Sequence, residues 1–109
     1  MRGNDLRESL IGILKLIASF DDQVAYQRSV PIADVPAELV CLWLDNYHPD
    51  TDLQKCAFTA AEAEALAAFN CMYEQHVEDL PSTLSELHAS EHWKRVSTTA
   101  QETLCLCRW

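Results

Sequence analysis

The sequence predicts an all-α fold, an irregular bundle of four longer helices with one or two short helical segments. Only two glycines occur in 109 residues, so the φ > 0 positions that tight hairpins need are nearly missing. No run of alternating apolar and polar residues is bounded by glycine turns, as paired strands would require. Apolar residues recur instead at three- and four-residue intervals over several long stretches. One chain of this length supports one core, so residues 1–109 are read as a single helical domain.

The first helix starts at a cap on Asn4 or Asp5, places Leu6, Leu10, Ile13, Leu14 and Ile17 on one face, and ends near Phe20. Ile11 and Leu16 add a second apolar side, which predicts cover on more than one face. Residues 21–36 are the least regular, with room for one short helical piece after Asp21 before Pro31 and Pro36 favour extended backbone. Pro36 suits a first helical position, and AELVCLWLDNY continues from it to about Tyr47, where His48-Pro49 stops the helix. Residues 50–52 form a turn, and Leu53 to Phe58 a further short helical turn. Thr59 and Glu62 have the spacing of a reciprocal capping box, opening an alanine-rich helix to about Asp79 that is expected to be central. Leu66, Phe69, Tyr73, Val77 and Leu80 make its stripe, and Ala61, Ala65, Ala68 and Met72 a small-residue side that invites close approach by another helix. Ser82 or Thr83 caps a short helix through His88. Ser90 starts a last one with Trp93, Val96, Ala100, Leu104 and Cys107 on one face.

Eight basic residues against seventeen acidic ones give a formal charge of -9. The cations run from Arg2 to Arg108 without clustering, so a nucleic-acid backbone or an anionic membrane is repelled, whereas a basic protein partner is not. The apolar run Leu10 to Ala18 follows Asp5 and Glu8, is interrupted by Lys15, and falls far short of the roughly 20 residues of a membrane span. Five cysteines are an odd number without a disulfide pattern, and Cys41, Cys56 and Cys71 fall in apolar stretches, which fits reduced thiols in a cytoplasmic protein.

Catalytic and metal signatures are sparse. His88 and His92 stand four apart around Glu91, but Ala89 takes the place where a zinc-protease helix carries its glutamate, and no third ligand follows. Cys105 and Cys107 are separated by one residue, where zinc ribbons and thioredoxin-type motifs use two. An EF-hand loop started at Asp50 would put Lys55 at its glycine position. The chain lacks the ExxE and ExxD pairs of small helical pyrophosphohydrolases, a phosphate-cradling glycine loop, GxSxG and HExxH. No catalytic residue, metal or cofactor is therefore assigned.

The densest chemistry lies in WLDNYHPDTD. Trp43 and Tyr47 are one helical turn apart, and His48 sits where a helix C-terminus favours an imidazolium. Aromatics at this spacing are most often core. As a surface, Tyr26, Trp43 and Tyr47 would be anchors, and Asp21, Asp22, Asp34, Asp45, Asp50 and Asp52 an acidic rim, with His48 among the contacts. The expected function is a non-catalytic, acidic protein-interaction module, an immunity- or antitoxin-like inhibitor or a small regulatory adaptor. Small acidic helical proteins that neutralise toxins share this size and charge, with no motif in common. The alternative is a small-molecule-binding or metal-dependent enzyme with its site around His48 and Asp50 or around His88 and His92. Apolar surface beyond the needs of one small core, including the terminal LCLCRW, predicts a homodimer.

Overall fold

A computed structural model of the chain describes residues 3–32, 34–77, 80–81 and 83–109, with side chains from residue 5 onward. It is an all-α irregular bundle. Among the described residues there are seven helices and no strand: α1 (Gly3–Ala18), α2 (Phe20–Ser29), α3 (Val35–Asn46), α4 (Asp52–Ala57), α5 (Ala60–His76), α6 (Leu84–Ala89) and α7 (Glu91–Leu106).

Local chemistry sets most of these boundaries. The Thr59 hydroxyl accepts the Glu62 N–H while the Glu62 carboxylate accepts the Thr59 N–H, the reciprocal box expected at the start of α5. Thr51, Thr83 and Ser90 cap α4, α6 and α7, and Asp34 caps α3 just ahead of Pro36. Ser82, Asp79 and the Asn4 side chain lie outside what is described. α1 begins at Gly3, so Asp5 lies inside its first turn instead of capping it, and two later boundaries also differ from the sequence reading. The first helix stops at Ala18 because Ser19 takes an extended backbone and its hydroxyl accepts the Asp22 N–H, capping a new helix. The stretch read as irregular then carries nine of the ten residues of α2 before Pro31, the tenth being Phe20.

The bundle closes around α1, which packs against α7, α4, α3 and α2. Leu10, Leu14 and Ile17 are fully buried, each gaining about 1.5–3 kcal/mol from leaving water. This corrects the expectation that α5 is central. α5 buries Leu66, Phe69 and Tyr73, but on its small-residue side Ala61 and Ala68 face solvent, Ala65 is covered and Met72 is half-buried against the core. Alanine offers little area to bury, so the broad leucine and isoleucine face of α1 organises the core instead. Cys41, Cys56 and Cys71 likewise lie in helices but on outward faces.

Two polar clusters join distant elements. Fully buried Gln23 donates from Nε2 to the carbonyls of Leu16 and Ile17, and its Oε1 accepts from Trp93 Nε1 at 3.2 Å and His88 Nε2 at 2.8 Å. One amide thus ties the α1–α2 junction to α6 and α7. At the opposite end Arg7 holds Glu62 through two 2.7 Å bonds and the Ala57 carbonyl through a third. Its guanidinium stands 5.4 Å from the Phe58 ring centre and 5.7 Å from that of Trp109, whose indole N–H donates to Glu62 Oε2. Trp109 reaches this place through a Schellman turn. Arg108 adopts φ 57, and the N–H groups of Trp109 and Arg108 bond to the carbonyls of Leu104 and Cys105.

Candidate functional site: the outer face of α3 and the segment before it

Trp43 and Tyr47 sit one turn apart on α3, with ring centres 4.8 Å apart and planes within 14°. The indole is fully buried. It meets Phe69 edge-on at 4.8 Å and donates through Nε1 to Asn70 Oδ1 at 2.9 Å. Trp43 therefore has no surface to offer as an anchor; its size and its polar handle are both used inside. Tyr47, half-buried, is the helix C-cap, and its phenol pKa is raised by burial and by the negative charges of Glu74 and Asp50.

His48 and its neighbours finish the helix. The His48 imidazole Nε2 lies 2.7 Å from the Asp45 carbonyl, as a ring N–H donating to the last turn of α3. The His48 backbone N–H donates to Gln54 Oε1, and Thr51 Oγ1 donates to the His48 carbonyl. Asp45, Asp50 and Asp52 are exposed around this knot. WLDNYHPDTD is thus a helix C-terminus laced to the start of α4, with its aromatic inside and its carboxylates outside.

Tyr26 lies elsewhere. Its hydroxyl donates to Glu38 in the first turn of α3, and that bond to a carboxylate raises the phenol pKa. From residue 38 to residue 47 an α-helix rises about 13 Å. The three aromatics expected to form one cluster therefore mark opposite ends of α3. Asp21 and Asp22 sit exposed in the first turn of α2.

What the structure adds is apolar. Ile32 is 98% exposed and Val30 40% exposed, on the segment between α2 and α3, and Leu44 is 48% exposed on the outer face of α3. Two shallow hollows, about 430 and 330 Å³, flank that segment and share Asp34 and Pro36. The first is closed by Gln27, Pro31 and Leu84, the second by Val40, Cys41 and Leu80. The signal for Ile32 and Val30 was present in Ser29-Val-Pro-Ile32: β-branched residues around a proline, outside any helical stripe.

The histidine pair read from the sequence does not form. The chain turns at Ser90, which caps α7, so His88 faces inward to Gln23 while His92 leaves with α7. The Phe20 ring stacks on His88 at 4.1 Å, nearly parallel, and burial lowers the imidazole pKa. His92 meets His76 instead. Among the described residues no three histidine, cysteine or acidic side chains converge on a common point. Burial pushes the Cys107 thiol pKa up, against the thiolate a nucleophile needs. No described helix is long and apolar enough to cross a membrane. No protein-family model matches this chain, and neither a curated protein nor a solved structure is similar to it.

Proposed function

We propose that this chain is a non-catalytic interaction module that holds a basic protein partner, as an immunity- or antitoxin-like inhibitor does, or a small regulatory adaptor. Its contact surface runs from Val30 and Ile32 along the outer face of α3 to Leu44 and Asp45. The observation that carries this reading is Ile32, 98% open to solvent on a segment braced by Pro31. An isoleucine so placed adds nothing to the core, yet gains about 1.5–3 kcal/mol when a partner covers it. Asp34, Asp45, Asp50 and Asp52 are exposed around the same surface, and a net charge of -9 steers a basic partner towards it. In this arrangement Trp43 and Tyr26 brace α3 from within and at its start, while Ile32, Leu44 and Tyr47 make the contact.

A photoreactive amino acid at position 32 or 44, with exposed position 98 on α7 as control, tests the assignment in the native host. The same partner should be captured from 32 and 44 but not from 98. Replacing Asp45, Asp50 and Asp52 together by lysine should reduce capture without lowering the melting temperature. Equal capture from all three positions, or none from 32 and 44, rejects the surface.

Self-association is assigned to a different face. A groove of about 550 Å³ on α5 and α7 is lined by Ala61, Ala65, Ala68 and Leu106, with Glu64 and Arg108 at its margins. Leu106 is 75% exposed. Two-fold pairing would seat each Leu106 against the partner's alanines and set Arg108 against the opposite Glu64. Light scattering at tens of micromolar should give twice the 12.3 kDa chain mass, reverting on Leu106→Glu; a mass of 12.3 kDa for the parent removes the dimer.

A further inference from the structure

The end of α5 and the start of α7 bring two imidazoles together that lie sixteen residues apart in sequence. His76 Nδ1 and His92 Nδ1 are 2.9 Å apart, with ring centres at 5.2 Å and planes inclined by 45°. His92 is exposed and His76 half-exposed, so the pair is open to solutes. As it stands, one ring donates its Nδ1 hydrogen to the other ring's lone pair.

The geometry points to a binding site for a divalent late transition-metal ion, of the zinc, nickel or copper class, held by His76 Nδ1 and His92 Nδ1. Metal–imidazole bonds of about 2.0–2.1 Å place two nitrogens about 2.9 Å apart at a right angle and about 3.4 Å apart at a tetrahedral angle. The observed 2.9 Å is already at the lower of these, so α5 and α7 need not move. The rings need only tilt, so that two lone pairs now facing each other converge on a point beside them. Binding requires both Nδ1 atoms to be unprotonated. The ring that carries its hydrogen there returns it to solvent and takes one up at Nε2, with no net loss of a proton. Imidazole suits ions of this class better than calcium or magnesium, which prefer oxygen. The chain's charge of -9 raises the local concentration of any cation. Two protein nitrogens leave the remaining coordination positions to water, which makes the site one of micromolar rather than structural-zinc affinity.

Sequence spacing pointed to His88 and His92, and the turn at Ser90 is what exchanges the partner. The test is therefore a discrimination among four histidines. Zinc chloride is titrated into protein whose free thiols have been alkylated, so that cysteine does not compete for the metal, and the imidazole signals are followed by NMR. His76 and His92 signals should move together and saturate by about 100 μM zinc, ample for a micromolar site, while those of His48 and His88 stay in place. In His76→Gln, the His92 response should need about tenfold more zinc or greater, because the chelate is lost. The His88→Gln variant should titrate as the parent does. If His76 and His92 fail to respond in the parent, or if His92 responds equally in His76→Gln, the site does not exist. The parent titration alone decides the matter if a variant fails to fold.

Discussion

Truncating Trp43 to alanine removes an indole that is fully buried against Phe69 and Tyr47 and strands Asn70 Oδ1 without its donor. We expect a loss of about 3–5 kcal/mol, read from urea unfolding, as for other large-to-small changes in cores. Ile32→Ala should leave the unfolding curve within about 0.5 kcal/mol of the parent, because the side chain lies outside the fold. The contrast separates a residue that holds α3 in the core from one that the segment before α3 leaves in solvent. At this scale the stacking of Trp43 on Tyr47 was legible, since side chains four apart on a helix must meet. The inward turn of the indole was legible only as the commoner case, because its Asn70 partner is 27 residues away and nothing in either segment announces it. Buried Gln23 was not legible at all. A glutamine inside is explained only by the carbonyls, indole and imidazole that surround it, and these come from three other elements.

Caps and turns are where short-range sequence decides structure: the helix starts capped by Thr59 and Ser90 fell where the residues indicated, and α3 starts at Val35, one residue ahead of Pro36. Ser19 shows the limit: one serine can continue a helix or cap the next, and here it caps α2 while Gln23 takes up the Leu16 and Ile17 carbonyls that the end of α1 leaves open. The ends of α5 and α7 carry two predictions. Glu62 is held by Arg7, the Thr59 N–H and Trp109, and the Arg7 hydrogen bonds lead in lowering its pKa from 4.5 to about 2. A folded-state pKa below the unfolded one gives stability that is present above about pH 4.5 and lost as pH falls towards about 2. Unfolding free energies measured from pH 7 down to pH 2 should fall through that window, and Glu62→Gln should be weaker at pH 7 with a shallower fall. Arg108, at φ 57, occupies a position where an L-residue is strained and glycine is not. Arg108→Gly should therefore stabilise the chain by about 0.5–1 kcal/mol by thermal unfolding. The gain should disappear when Trp109→Ala removes the contacts that the turn positions.

For the molecule as a whole, composition was enough to predict an all-helical bundle, because a chain with two glycines and no alternating pattern has few other ways to bury its apolar residues. Which helix the others surround was not predictable from periodicity. α5 has the cleaner pattern, but α1 has the larger side chains, and buried area rather than regularity sets the centre. The excess of carboxylates over cations is a matter of counting residues, whereas the exposure of Ile32 depends on which residues the core leaves out. The three tryptophans give this organisation a time axis. Each indole hydrogen is bonded at a different depth: Trp109 to Glu62 beside the last turn, Trp43 to half-buried Asn70, and Trp93 to Gln23, itself fully buried. Deuterium can replace such a hydrogen only when its bond opens, so the exchange rates count openings of three sizes. Trp109 should exchange first, by fraying of the final turn, and Trp43 next. Trp93 should wait for α1, α2, α6 and α7 to separate together, so that its protection equals the global unfolding free energy. One spectrum followed over hours would then show whether the fold comes apart from its ends or all at once.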